Sequence, residues 1–188
     1  GDDDMLYYDF VEKFYKSLNV LDQQSINVLK FPLEIIDANN FTIKKFSFEN
    51  TIIDRRDFLT SKIESTSLSS LSENIFRTEA YFKYKIKQFP LAWHSDDCMI
   101  FEDAENNKIL YIKDTYVLVR MSEKNISSMT DNVAIKDMAT SEFYIYIFAN
   151  YYKNFSIAQK KVILKNLKKH LYRSQHKLSL KTLFTVYL

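Results

Sequence analysis

The sequence predicts an α+β fold with an N-terminal helix, a central antiparallel β-sheet in meander order, and C-terminal helices packed on one face. Three observations predict it. Apolar residues recur every three or four positions over residues 6–18. They alternate at every second position through much of 79–121. A helix-spaced apolar stripe then follows a serine cap at Ser156.

The first helix is carried by Tyr7, Phe10, Val11, Phe14 and Leu18, which fall on one face. Pro32, within Lys30-Phe31-Pro32-Leu33, stops any helix running through Ile26–Leu29, because the residue before a proline is driven out of the helical region. Phe41–Phe48 alternates as a strand. Residues 60–78 are rich in serine (Ser61, Ser65, Ser67, Ser69, Ser70, Ser72), yet Leu68, Leu71 and Ile75 keep helical spacing, which predicts a short helix between loops. In Glu79–Phe89 the even positions Ala80, Phe82, Tyr84 and Ile86 alternate with Tyr81, Lys83, Lys85 and Lys87, the pattern of a strand with one wet face. Met99–Glu102 and Ile109–Lys113 flank Asn106-Asn107, a pair that tolerates left-handed turns and predicts a hairpin. Thr115–Met121 adds a further strand.

Beyond a polar stretch at 122–138, Ser141 is a candidate cap for a helix over Glu142–Lys153, where the run FYIYIF also suits a strand. Ser156 caps a helix over Ile157–Ser174 with Ile157, Leu164, Leu167 and Leu171 as its apolar stripe. Leu180, Thr182, Phe184, Val186 and Leu188 alternate as a terminal strand.

The chain has 188 residues, enough for one α+β domain over 5–188, with 139–188 a basic, mostly helical subregion. Gly1-Asp2-Asp3-Asp4 reads as a tag remnant ahead of a native start at Met5. Gly1 is the only glycine. That argues against P-loop, Rossmann and kinase-type phosphate cradles and the nucleophile elbow, all of which use glycine for close approach or positive φ. With Cys98 the sole cysteine, neither an intrachain disulfide nor a cysteine-based zinc site can form. No signal-peptide pattern and no apolar run of about 18 residues is present. The expectation is an intracellular protein, of cytoplasm or nucleus, with no membrane span.

Candidate chemistry is sparse. In His94-Ser95-Asp96-Asp97-Cys98 a thiol nucleophile and its base stand four apart, a spacing that brings them together only on a helix. The local pattern reads instead as a loop entering a strand, where four residues span roughly 13 Å, so Cys98 is expected to be a small buried residue. Asp96, Asp97, Glu102, Asp103 and Glu105 suggest a metal-dependent nuclease, but the strand Tyr111-Ile112-Lys113 lacks the carboxylate two before its lysine. Those acids are expected at a solvated hairpin tip. His170 and His176 are six apart, on different helix faces, and make no metal pair. No catalytic, metal-binding or cofactor-binding residue is assigned.

Charge is the strongest signal. The first 142 residues hold all 24 acidic and 17 of the basic residues, a formal −7; from Phe143 onward nine Lys and Arg stand without one acid, a formal +9. Such polarity speaks to partners rather than fold. Lys160, Lys161, Lys165, Lys168, Lys169 and Arg173 form the candidate site, with Tyr172 placed to stack or pack beside them. Lysine outnumbers arginine, and no Asn or Gln is placed to read a base edge, so sequence specificity is not expected. The plainer alternative is a solvated helix face docked on the chain's own acidic hairpin; an acidic protein partner, nucleic acid and a membrane surface are the other anionic surfaces considered.

In outline, the N-terminal helix, the Phe31-Pro32-Leu33 bend and the later strands resemble cone-shaped NTF2-like domains, which implies a ligand-binding or enzymatic cone as one alternative. The basic helical tail departs from that pattern, and no site residue is transferred. The function expected from the sequence is a non-enzymatic adaptor or scaffold subunit of an intracellular, nucleic-acid-associated assembly. It would dock through aromatic patches and the basic C-terminal helix. The alternative is a direct, weakly sequence-specific nucleic-acid-binding module.

Overall fold

Two four-stranded sheets share one plan, a central parallel pair flanked on each side by an antiparallel strand. The computed structural model describes residues 4–121 and 130–174. In chain order the elements are β1 (Met5–Leu6), α1 (Phe10–Gln23), β2 (Val28–Lys30), β3 (Leu33–Ile36), β4 (Thr42–Phe46), β5 (Ile52–Asp54), α2 (Arg55–Ile63), β6 (Asn74–Phe76), α3 (Thr78–Tyr84), α4 (Ser95–Asp103), β7 (Lys108–Tyr111), β8 (Val117–Arg120), α5 (Val133–Tyr151) and α6 (Ile157–Arg173). One sheet runs β1-β8-β3-β4, the other β5-β7-β2-β6.

Pro32 explains why there are two. It has no N–H to give a ladder, so one extended run is cut into β2 and β3, each in its own sheet. β7 lies parallel to β2 and β8 parallel to β3. The pairing carries across the break, where Ile112 N–H donates to the Lys30 carbonyl (3.0 Å) and Val117 N–H to the Pro32 carbonyl (2.9 Å). The sheets are therefore mixed, and the antiparallel meander does not form. With it goes a principal basis for the likeness to an NTF2-like cone.

Strand alternation sorts the β5-β7-β2-β6 sheet into two faces. Leu29, Leu110, Ile52 and Ile75 join Phe10, Leu21, Phe14 and Leu18 of α1. Val28, Ile109, Ile53 and Tyr111 meet Phe58 of α2 and Ile100 of α4. The other sides of α2 and α4 present Leu59, Cys98 and Phe101 to Phe143, Ile147, Ile163 and Leu167 of α5 and α6. The layers thus run α1, sheet, α2 with α4, then α5 with α6. Helices cover both faces of this sheet rather than one.

Several elements differ from expectation for identifiable reasons. Glu79–Phe89 is no strand: residues 78–84 form α3, in which only Ala80 is buried and Phe82 is exposed. Met99–Glu102 belongs to α4, a helix enclosed between the sheet and α5, and a helix buried all round loses its amphipathic period. The hairpin at Asn106-Asn107 is consequently a helix-to-strand turn, with Asn107 at φ 58°. The helix near the serines is α2, capped by Asp54, whose side chain accepts from Arg56 N–H (2.8 Å); Leu68 and Leu71 lie exposed in loop and Ile75 in β6. Helix α1 starts at Phe10, with Val11 outward.

Ser141 sits inside α5, its hydroxyl turned back to the Asp137 carbonyl (2.8 Å) rather than capping. In α6 the Ser156 cap forms as expected, but Ile163 replaces the exposed Ile157 in the buried stripe. The terminal strand over 180–188 lies outside the described residues.

The lack of internal glycine leaves its mark on the backbone. Eight described residues hold positive φ: Ser25, Asn40, Ser65, Lys85, Leu91, Ala92, His94 and Asn107. Asn adopts this region cheaply, whereas Leu91 and Ala92 do so at a cost of about 1 kcal/mol each. They form the sharp bend that delivers His94 to the start of α4.

Candidate basic interface

The orientation of α6 is fixed from its first turn. Ser156 Oγ accepts from Gln159 N–H (3.3 Å), while Gln159 Oε1 accepts from Ser156 N–H (3.0 Å). This reciprocal capping is worth about 1 kcal/mol. Gln159 Nε2 also donates to Asp57 Oδ1 on α2 (2.8 Å). With Ile163 and Leu167 turned into the core, the 3.6-residue repeat puts Lys161, Lys165, Lys168 and Tyr172 on one outward stripe, with Lys169 beside it.

These residues, with Leu164 and Arg173, line an open groove of about 680 Å³. Among the described residues Lys161, Lys165, Lys169 and Arg173 make no ion pair. Lys160 stands apart from the groove, its ammonium 3.7 Å from the centre of the Tyr152 ring. Five of the six expected site residues are therefore gathered and one is not.

The chain's own acids do not form a solvated tip for α6 to dock on. Asp97, Glu102 and Asp103 are buried within α4. Asp97 pairs with Lys62, and its second oxygen bonds His94 Nδ1 (2.7 Å). His94 Nε2 lies 3.0 Å from Thr140 Oγ1, and the imidazole stacks on Phe143 with centres 4.9 Å apart. Burial pushes the Asp97 carboxyl up, but Lys62 and His94 outweigh it and hold the group well below the usual carboxylate range. Deeper still, Lys30 and Glu73 pair with almost no solvent exposure. Burial draws the Lys30 ammonium down; at Glu73 the neighbouring Lys30 overcomes burial and draws the carboxyl down.

Cys98 needs a corrected reason. The segment is helical, and Cys98 N–H donates to the His94 carbonyl (3.0 Å), so the four-residue spacing does bring the backbone positions together. The side chains still diverge: the imidazole turns to Asp97, while the thiol points to Glu102 Oε2 (3.7 Å). Burial and then the Glu102 charge push the thiol far up, opposite to what an attacking thiolate requires. Glu102 is otherwise held by the hydroxyls of Tyr146 and Tyr151, each at 2.7 Å. His170 bonds Asp137 (2.6 Å) across the α5–α6 contact, and His176 lies outside the described residues. Among the described residues no cluster of three His, Cys, Asp or Glu is arranged to hold a metal, and no helix is long and apolar enough to cross a membrane.

Asp103 is a buried acid without a counter-charge. Fully buried, its two oxygens have no hydrogen-bond partner. Burial, then Glu102 and Glu105, push its carboxyl up to about 7. An acid raised on folding binds its proton more tightly in the native state, so stability falls as pH rises from about 4 to about 7. Asp103→Asn is expected to leave stability at pH 4 nearly unchanged and to raise it by about 4 kcal/mol at pH 8. Urea midpoints at the two pH values measure this, and equal shifts at both would rule it out.

No protein-family model matches this chain, and no curated protein is significantly similar to it.

Proposed function

We propose that this protein is a non-enzymatic adaptor subunit of a nucleic-acid-associated assembly, docking to a polyanionic partner through the exposed face of α6. One observation carries the reading. Lys161, Lys165 and Lys169 stand together on a solvated face without ion pairs among the described residues. By contrast, Lys30 and Lys62 in the interior each have a carboxylate. Unspent positive charge on one face attracts an anionic surface. Exposed Tyr8, Tyr15, Phe41 and Phe82 supply aromatic contact area for further protein neighbours. The raised, carboxylate-facing thiol of Cys98 and the paired state of His94 favour a binding role over a catalytic one.

Retention on immobilised heparin and on immobilised polyglutamate tests the reading. The full chain is expected to be held at low salt and released as salt screens the contact. The K161Q/K165Q/K169Q variant, checked by circular dichroism, is expected to pass through both columns. Equal retention of the two proteins would remove α6 as the docking face.

A further inference from the structure

We propose that the outward face of α6 binds single-stranded nucleic acid of any sequence, lysines meeting phosphates and the Tyr172 ring stacking on a base. The inference rests on α6 being a polyanion-docking face and names the polyanion. Tyr172 is 88% exposed. It follows Lys165 by two turns and Lys161 by three, so ring and ammonium groups share one stripe about 16 Å long. An acidic protein surface would satisfy the lysines through carboxylates carried on separate side chains. A single strand instead carries phosphates and base faces along one backbone, and every base has a π-face, which matches ammonium groups and an exposed ring on one stripe. In a duplex each base is covered by its neighbours, so stacking on Tyr172 selects an unpaired strand.

Tolerance of sequence follows from the two amides on α6. Gln159 is held by Asp57 and Ser156, and Asn166 Nδ2 donates to the Val162 carbonyl (3.1 Å), so their engaged groups are drawn away from base-edge reading. Lysine ammonium groups act as point charges rather than as the planar fork by which arginine reads guanine, and the groove holds a single arginine, Arg173, among its cations. Phosphate and base face are common to DNA and RNA, and the site's described groups draw on those two features.

Fluorescence anisotropy with the full chain tests this, using a labelled thymidine oligonucleotide, its uridine counterpart, a duplex of equal length and a polyglutamate peptide. Single strands are expected to bind more tightly than the duplex. Tyr172→Ala is expected to weaken the single strands about tenfold while leaving polyglutamate unchanged, and Tyr172→Phe to retain binding. A preference for one sugar would identify which strand the site takes. Unchanged single-strand affinity in Tyr172→Ala, or a duplex bound as tightly as a single strand, overturns the inference and leaves the docking face standing. If K161Q/K165Q/K169Q binds every polyanion as the parent does, the docking face itself fails.

Discussion

Asp97→Asn is expected to destabilise the fold by about 3–5 kcal/mol, the cost of leaving a buried cation without its counter-charge. A single carboxylate here serves two neighbours on different elements, Lys62 from α2 and His94 at the head of α4. His94 in turn reaches Thr140 on α5. The substitution therefore loosens the joint between α2, α4 and α5 at one point. Because folding depresses the Asp97 carboxyl, its contribution is fully present above the unfolded value of about 4 and is lost as pH falls below it. Wild type and variant should diverge most in urea at neutral pH and converge in acid. For a chain of this size the expected drop in melting temperature is on the order of 10 °C. A variant as stable as the parent at pH 7 would show that the pair stays hydrated in solution.

The residues that form this joint explain much of what the sequence hid. Lys62, Lys30 and Arg55 carry charge, and a charged residue in a sequence is taken for surface unless its partner is visible. Their partners are far along the chain: Asp97 for Lys62, Glu73 for Lys30, and the Phe101 carbonyl for Arg55. Helix α4 was hidden for a related reason, since its neighbours cover it on all sides and erase its period. Helix α3 has seven residues, too few for a three-four repeat to outweigh the accidental alternation of Ala80, Phe82 and Tyr84. Strands β2 and β7 are covered on both faces, and their parallel pairing joins segments about 80 residues apart, which no local pattern reports.

Helix α6 was legible because both its signals are local. Ser156 and Gln159 cap it within one turn, and its apolar stripe repeats along its own length. The same locality made its cations visible as a group, although only three dimensions separate Lys160, stacked over Tyr152, from the groove that holds the others. Alternation also marked β4 and β8 correctly, although β4 is exposed along nearly all of its length.

Glu73→Gln is expected to cost about 3–5 kcal/mol as well, through a different arrangement. The Glu73 carboxylate accepts from Lys30 Nζ, from Ser69 Oγ (2.6 Å) and from Ser70 N–H (2.8 Å), and so pins the 69–73 loop onto β2. The amide oxygen still accepts from Lys30, but the ammonium, with Ser69 (2.8 Å) and Asn74 (3.3 Å) as its other acceptors, loses its counter-charge in a site that excludes water. Removing both charges together, as in Lys30→Met with Glu73→Gln, eliminates the orphaned cation and is expected to recover about half of the loss. Recovery would be incomplete because the Ser70 donors still need an acceptor. Equal instability of the single and double variants would show that hydrogen bonding, not charge, holds the loop. The double variant also separates fold from docking, since Lys30 and Glu73 are no part of the α6 groove. Retention of its folded fraction on heparin should match that of wild type. Weaker retention would tie the buried pair to the binding face and displace α6 as the sole carrier of the interaction.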